Sequence, residues 1–392
     1  LAGIKQQNPG AVIGVGGCVA QQRGKEILRR SAAVDLVFGT DNLFELPDML
    51  REVAEGRRVV RTEWRGRKQR VENFIPEVAE PEAPLPTASP LAENGVVAQL
   101  AITKGCNNFC TFCIVPHTRG REVSREPENI VAEARRLAAR GVKELLLLGQ
   151  NVNSYKANGV DFVALLEMLH DVPGLERLRY TSPHPKDFND RLAAAHRDLP
   201  RLCEHLHLPF QAGSNRILKA MRRNHVIETY VEKLLRAREL VPDLAISTDI
   251  IVGFPGETEA DFLATLDVMR QVRFDQVYAF KFSPRTGTPA ATMPDPVAED
   301  VKTERLTRLF DLHERTVGEI NGAMVGTRQE VLVENRDREG LGVWGRTRGN
   351  KNVTVLDIVA PAGTLLPVEI AASRKFALVA RAVEATPVEV RP

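Results

Sequence analysis

The chain has 392 residues, of which 43% are hydrophobic, and its formal net charge is +2. This length allows two or three domains with sizeable cores, and the low net charge excludes nucleic-acid binding through a general basic field, so any such contact needs a local cluster. There is no apolar run of membrane-spanning length and no basic-then-apolar signal at the N-terminus, which predicts a cytoplasmic protein without membrane contact.

Residues 1–70 predict part of an α/β domain. Apolar runs predict strands at 11–16 and 34–38, and helical periodicity predicts helices at 21–30 and 43–55. The sequence begins with Leu1 rather than Met, in the middle of what looks like a helix–strand unit, so we expect residues upstream of it. A basic cluster near the end of this segment suits either RNA contact or an ordinary solvated loop. Its members are Arg57, Arg58, Arg61, Arg65, Arg67, Lys68 and Arg70.

A change in composition marks a boundary after this segment. Residues 71–95 contain five prolines and five glutamates but no Lys or Arg, which predicts an extended linker. Residues 96–321 then alternate between apolar strands and amphipathic helices, with strands expected at 97–103, 144–148, 177–181, 205–210, 245–252 and 276–282. This alternation predicts an α/β domain whose parallel sheet closes wholly or partly into a barrel. Functional residues are then expected at the C-terminal ends of the strands.

A helix is predicted at 301–321, and a different pattern follows it. In residues 322–385, short apolar segments at 329–334, 353–356, 366–370 and 377–383 are separated by glycines at 326, 340, 342, 345, 349 and 363. Short strands with glycine turns predict a small β-barrel.

Three of the five cysteines lie within eight residues, directly after the first strand of the predicted parallel domain. These residues are Cys106, Cys110 and Cys113. Three thiolates can hold three irons of a four-iron cluster and leave the fourth iron open to an exogenous ligand. The alternative is a structural zinc site with His117 as fourth ligand. Cys203, which lies far from the other four in the sequence, is interpreted as a core residue.

Polar residues follow several predicted strands and could surround a polar ligand at the same rim, although Asn and Gly are also ordinary turn residues. They are Gln150, Asn151, Asn153, Gln211, Ser214, Asp249 and Gly253. Three arginines just past the cysteine loop, Arg119, Arg121 and Arg125, suit an anionic ligand, an RNA backbone or plain salt bridges.

Six motifs in this part of the chain resemble those of the MiaB-type tRNA methylthiotransferases, a family within the radical S-adenosylmethionine superfamily. The motifs occupy residues 105–122, 148–153, 181–188, 207–215, 248–258 and 283–290, and the resemblance extends over almost the whole chain. It implies a partial N-terminal methylthiotransferase domain, a radical S-adenosylmethionine domain of partial (β/α)6-barrel type and a C-terminal TRAM-like RNA-binding barrel.

The resemblance also implies cofactors and site residues. Cys106, Cys110 and Cys113 would hold a [4Fe-4S] cluster that binds S-adenosylmethionine, with the polar rim residues around that ligand. Cys18 resembles the last of three ligands of a second [4Fe-4S] cluster, whose other two cysteines would lie upstream of Leu1. In the TRAM-like region, four residues are candidates for RNA contact. They are Trp344, Arg346, Arg348 and Lys351.

The implied reaction is radical methylthiolation at C2 of a hypermodified adenosine next to the tRNA anticodon. Its partners would be tRNA, a flavodoxin-type electron donor and a sulfur donor that the sequence does not identify. Two alternatives stay open at this point. A sibling enzyme would act on threonylcarbamoyladenosine in tRNA or on a ribosomal-protein aspartate, whereas a protein with a vestigial cluster would only bind RNA.

Overall fold

The computed structural model describes residues 1–64, 95–337 and 339–383, which form two compact units. Most of the predicted linker, the last four members of the basic cluster and the end of the predicted C-terminal domain lie outside these ranges. The described part of the first unit comprises 1–64, Thr103–Phe109 and Cys113–Arg125, and the second unit comprises the remaining described residues. No helix in the described ranges is long and apolar enough to cross a membrane.

The described helices are numbered in chain order. They are α1 (Ala2–Gln7), α2 (Cys18–Arg30), α3 (Leu46–Ala54), α4 (Val115–Thr118), α5 (Pro127–Ala139), α6 (Phe162–His170), α7 (Asp190–Asp198), α8 (Asn215–Ala220), α9 (Ile227–Leu240), α10 (Glu259–Val272) and α11 (Glu299–Ala323). Short 3-10 helices span Leu43–Glu45, Val152–Ser154, Pro185–Asp187 and Pro289–Thr292.

The strands are numbered in the same way. They are β1 (Gly14–Gly16), β2 (Leu36–Phe38), β3 (Val59–Arg61), β4 (Val97–Ala101), β5 (Thr103–Lys104), β6 (Val123–Ser124), β7 (Glu144–Leu148), β8 (Lys156–Ala157), β9 (Val160–Asp161), β10 (Arg177–Tyr180), β11 (His205–His207), β12 (Ala245–Val252), β13 (Gln276–Lys281), β14 (Arg328–Arg336), β15 (Gly342–Thr347), β16 (Asn352–Leu356), β17 (Leu365–Arg374) and β18 (Ala377–Ala382).

The first unit contains a parallel sheet in the order β1-β2-β3 with apolar residues buried on both faces. Successive residues of β2 point to opposite sides, so Val37 packs with Ala20 of α2 while Leu36 packs with Met49 of α3. The prediction of an α/β segment is confirmed. Helix α2 starts at Cys18, earlier than predicted, and Gly17 before it adopts a φ of 102° that glycine tolerates well.

The second unit begins with two three-stranded parallel sheets, ordered β10-β7-β4 and β11-β12-β13. A bridge between Leu178 and Leu202 joins them at the β10 side, since Leu202 lies just before β11. The helices between the strands bury their apolar faces against the sheets in one large core. The predicted α/β domain with parallel strands is therefore confirmed.

The chain ends in a closed five-stranded barrel in the order β14-β15-β16-β18-β17. Four of its strands match the predicted segments, but β15 does not, because Gly342 and Gly345 were expected in turns and in fact lie inside a strand. A Cβ on Gly342 would lie 2.0 Å from the carbonyl oxygen of Val355, and one on Gly345 would lie 2.0 Å from that of Leu332. These glycines allow close approach of neighbouring backbones rather than a change of chain direction.

Candidate active site

The cysteine loop follows β4 and β5, as the sequence predicts. Cys106 and Cys110 are buried and Cys113 is partly exposed. In the first unit, the Cys106 amide donates to the carbonyl oxygen of Gly120 at 3.1 Å, and the Asn108 amide lies 3.4 Å from Cys106 Sγ. Within the described ranges, no group of three or more His, Cys, Asp or Glu side chains is arranged to hold a metal ion.

The middle of the loop is fixed within the second unit. The Thr111 amide and hydroxyl donate to the carbonyl oxygens of Met221 and Ala220, both at 3.0 Å. Arg223, shortly after them, places Nη1 3.6 Å from Cys110 Sγ, and its Nη2 donates to the carbonyl oxygen of Pro209 at 2.8 Å. The Cys110 sulfur thus has a cationic N–H donor beside it, as sulfurs in iron–sulfur sites often do. The donor chemistry of the loop, three thiols with an adjacent cation, fits an iron–sulfur cluster.

Two histidines that no sequence pattern singled out lie close to Arg223. His184 and His225 meet ring to ring, with centroids 6.0 Å apart and planes at 80°. Burial, with the charge of Arg223 adding to it, lowers the pKa of His184 to about 2 and that of His225 to about 3. Both imidazoles are therefore neutral at pH 7, and Nε2 of His184 and both ring nitrogens of His225 have no hydrogen-bond partner in the described part of the chain.

The polar residues after β7 contact the loop that follows β10. Asn153 forms two hydrogen bonds with the His184 backbone, donating to its carbonyl oxygen at 3.0 Å and accepting from its amide at 2.8 Å. Asn151 is buried and donates to Asp187 at 2.9 Å, while its Oδ1 has no partner among the described residues. Gln150 is partly exposed at the end of the strand. Asn153 thus has a structural contact, and Asn151 keeps a free acceptor.

The polar residues predicted to surround a ligand after β11 and β12 differ in their exposure to solvent and in their structural contacts. Gln211 pairs with the β12 backbone beside Asp249, whose side chain is one-third exposed. Ser214 donates to Asp261 at 2.5 Å, within the N-terminal cap of α10. Gly253 has a φ of 72°, and a Cβ there would lie 2.3 Å from Lys302 Cγ. Asp249 thus keeps solvent-accessible surface, whereas Ser214 and Gly253 have local structural contacts.

Comparison with known proteins decides between the alternatives. Residues 100–269 match the Radical SAM superfamily model. The tRNA-2-methylthio-N(6)-dimethylallyladenosine synthase of Pelotomaculum thermopropionicum is 46% identical over 94% of this chain and 81% of that protein. The protein of the same name from Acetivibrio thermocellus is 44% identical over 96% of this chain and 77% of that protein. The chain belongs to this synthase family.

A solved structure agrees at the level of the fold. The cobalamin-dependent S-adenosylmethionine radical enzyme OxsB, with aqua-cobalamin and S-adenosylmethionine bound, aligns with a TM-score of 0.50 and 12% identity. The alignment covers 80% of this chain and 45% of OxsB. The predicted radical S-adenosylmethionine methylthiotransferase is confirmed by the family, and neither a sibling substrate nor a non-catalytic RNA-binding role is favoured. The zinc alternative is not favoured either, and His117 lies exposed in α4.

Cys18, the predicted ligand of a second cluster, lies in the first unit. It is the first residue of α2, and Arg119 Nε lies 3.3 Å from its Sγ. Arg121, the next arginine, lies over the ring of Phe109 at 4.3 Å, and Arg125 is buried.

The described members of the basic cluster have partners within the protein. Arg57 and Arg61 pair with nearby glutamates, and Arg58 donates to backbone carbonyl oxygens. Cys203 is buried, as expected of a core residue.

The basic residues of the terminal barrel that are predicted to bind RNA lie against the starts of the parallel strands. Arg346 pairs with Glu144 at 2.8 Å, Arg348 with Glu204 at 2.7 Å and Lys351 with Asp275 at 2.8 Å. The three side chains are only 11% to 24% exposed, and Trp344 is half-buried. Since carboxylates hold these cations, their contact with RNA stays a prediction.

Glu144 is the centre of this charged group. Besides Arg346, it faces Arg179 Nε at 3.0 Å, and both Glu144 and Arg179 are almost completely buried. Burial alone would raise the pKa of Glu144, but the guanidinium groups of Arg179, Arg346 and Arg177 hold it below its ordinary value. Glu144 is therefore ionised, and it makes this end of the strands a docking surface for the terminal barrel.

Proposed function

We propose that the chain catalyses the methylthiolation of C2 of N6-dimethylallyladenosine next to the anticodon of tRNA, in the cytoplasm. The observation that supports this most strongly is 46% identity, over 94% of the chain, to a synthase named for that product. An aromatic C–H bond of this kind is too strong and too weakly acidic for a side-chain base, so cofactor radical chemistry is required.

Cys106, Cys110 and Cys113 would hold a [4Fe-4S] cluster with one iron open to S-adenosylmethionine. When bound, the cluster supplies the electron that cleaves S-adenosylmethionine and so provides a radical able to remove the C2 hydrogen. Around it, Thr111 anchors the loop to the end of α8, and Arg223 offers an N–H group to the Cys110 sulfur. Neutral His184 and His225 add hydrogen-bonding capacity without adding positive charge.

Two further roles belong to this proposal. Cys18 would be one ligand of a second [4Fe-4S] cluster, with Arg119 donating to its sulfur. The five-stranded barrel would be a TRAM-like domain, and tRNA, a flavodoxin-type electron donor and a separate sulfur donor would be the partners. The rim residues Gln150, Asn151 and Gln211 would lie around S-adenosylmethionine.

The test is a reconstitution of the gene product with iron and sulfide under anaerobic conditions, followed by addition of reductant, S-adenosylmethionine and tRNA that carries dimethylallyladenosine. Mass spectrometry of the digested tRNA should show the 2-methylthio nucleoside, together with 5′-deoxyadenosine. Substitution of Ala for each loop cysteine should remove both products. Production of 5′-deoxyadenosine with methylthiolation of only threonylcarbamoyladenosine tRNA or of a protein would contradict the proposed substrate.

A further inference from the structure

The last strand of the parallel arrangement carries two exposed aromatic rings. Tyr278 and Phe280 lie two residues apart on β13, and they are 45% and 60% exposed. Val277 and Ala279, which alternate with them, are buried in the core that also contains Leu309 of α11. Because side chains alternate along a strand, both rings must face away from that helix-covered core.

The neighbours of the two rings on this face include both polar and apolar side chains. Asp249 is in register with Tyr278 and Ile251 with Phe280, so each pair projects from the same side of the two strands. The His207 ring meets Tyr278 edge to face, with centroids 5.9 Å apart, and its Nε2 lies 3.5 Å from Asp249 Oδ1. We call these five residues the aromatic face.

The aromatic face also lies at an accessible position. In the described sheet order β11-β12-β13, strand β13 is paired on one side only, with β12. Its rings therefore border the edge of the sheet, where a large substrate can approach without displacing another described strand. Surfaces of this kind, with exposed aromatic rings beside a few polar groups, favour bases that have been turned out of an RNA stack.

We propose that the aromatic face binds the dimethylallyladenosine base of the RNA substrate, with Tyr278 and Phe280 stacking on it. This inference rests on the proposed function. The purine offers a flat ring for stacking, and its dimethylallyl group is apolar and matches Phe280 and Ile251. Asp249 supplies an acceptor for the remaining N6–H of the base. The adenine of S-adenosylmethionine lacks an apolar substituent, and the rim residues proposed for that cofactor do not lie on β13.

The experiment uses Tyr278→Ala and Phe280→Ala in the reconstituted protein, with Phe310→Ala as matched control. Phe310 is also an exposed Phe, at 41%, but it lies on α11. Steady-state KM is measured with anticodon stem-loop RNA carrying either dimethylallyladenosine or plain adenosine. Because base stacking contributes ~1–3 kcal/mol per base, each Ala variant should raise KM for the modified RNA by about 5- to 150-fold. The control should leave KM unchanged.

A second variant separates stacking from simple loss of bulk. Phe280→Leu keeps an apolar side chain but removes the ring, so it should still raise KM, by less than Phe280→Ala. An RNA with 2-aminopurine at the target position reports stacking, because a base that leaves the RNA stack regains its fluorescence unless an aromatic ring quenches it. The bound RNA should therefore be more fluorescent with both Ala variants than with the wild-type protein, and equally quenched with Phe310→Ala.

Two results would overturn the inference. One is an unchanged KM and unchanged quenching in both Ala variants. The other is a selective rise of KM for S-adenosylmethionine in the absence of RNA, which would assign the aromatic face to the cofactor. Failure of the proposed function has a different signature. The wild-type protein would then make no methylthio product, while 2-aminopurine quenching would still show whether the aromatic face binds the base.

Discussion

The parallel strands of the second unit have chemically different surfaces at their two ends. At their starts, Glu144 and Arg179 are buried in ion pairs, and the terminal barrel supplies Arg346 to the same group. At their C-terminal ends, His184 and His225 are neutral and keep ring nitrogens without partners in the described ranges. Opposite charges at the strand starts fix the terminal barrel to the sheet, whereas the ring nitrogens at the other end can bond to a ligand. Under the proposed function, stability and reactivity are therefore separated along the same strands.

The largest effect is expected at the C-terminal end. Cys110→Ala should abolish 5′-deoxyadenosine formation, because two remaining thiolates would not hold the cluster in the geometry that S-adenosylmethionine requires. The urea midpoint of the metal-free protein should change little. Formation of 5′-deoxyadenosine at the wild-type rate in this variant would contradict the assignment of the reactive site to the C-terminal ends of the strands.

At the opposite end, Glu144→Gln should destabilise the protein by about 3–5 kcal/mol, because it leaves buried guanidinium groups without their counter-charge. Urea denaturation followed by circular dichroism measures this change. Glu314→Gln is the matched control, since Glu314 and its partner Lys375 are both exposed, at 47% and 59%, and it should cost about 0–1 kcal/mol. Equal midpoints for the two variants would contradict a buried ionic centre at Glu144.

A smaller effect is expected for the cation beside the cluster loop. Arg223→Gln should lower the midpoint potential of the reconstituted cluster by tens of millivolts, because a positive N–H donor near a cluster sulfur stabilises the reduced, more negative state. Redox titration followed by electron paramagnetic resonance gives the potential. The neighbouring Arg222 is exposed, so Arg222→Gln serves as control and should leave the potential unchanged.

The smallest effect concerns pH. Burial, reinforced by Lys351, lowers the pKa of His313 to about 4, and its Nε2 accepts from the Val277 amide at 3.2 Å. The unfolded chain therefore binds a proton at this residue between about pH 6.5 and 4 while the folded chain does not, so stability falls as pH falls through that window. The contribution is at most ~1.4 kcal/mol per pH unit.

His313→Gln should remove that part of the pH dependence, since a glutamine oxygen can accept the same hydrogen bond without titrating. Unfolding free energies at pH 7 and pH 5 give the slope. The exposed His117→Gln variant should retain the wild-type slope, and an equal reduction in both variants would show that the effect does not come from burial of His313.

Much of the fold could be predicted from the sequence because the relevant signals are local. The apolar run of β7 at 144–148 is predicted to the residue, and the cysteine spacing identifies the loop and its superfamily. Strand β15 was missed because a glycine in a turn and a glycine required by a close backbone contact have the same sequence signal.

The rest depends on residues that are far apart in the chain. A cluster of three cations at 346–351 is visible in the sequence, but their partners are Glu144, Glu204 and Asp275, which no local pattern connects to them. Arg223 likewise reaches Cys110 across 113 positions. Its only sequence signal is the basic run at 222–223, which is too common on surfaces to indicate a site.

The contact between the starts of the parallel strands and the terminal barrel also affects which residues can be substituted. Arg177 donates to the carbonyl oxygens of Arg346 and Glu330, and Arg179 donates to those of Arg348 and Thr347. A carbonyl oxygen is present whatever side chain the residue carries. These four hydrogen bonds therefore survive substitution of the barrel residues, while Arg177 and Arg179 have no such freedom. The side chains of Arg346 and Arg348 are constrained separately, because they pair with Glu144 and Glu204. We expect tolerance of mutation to be asymmetric for the four hydrogen bonds and not for the ion pairs.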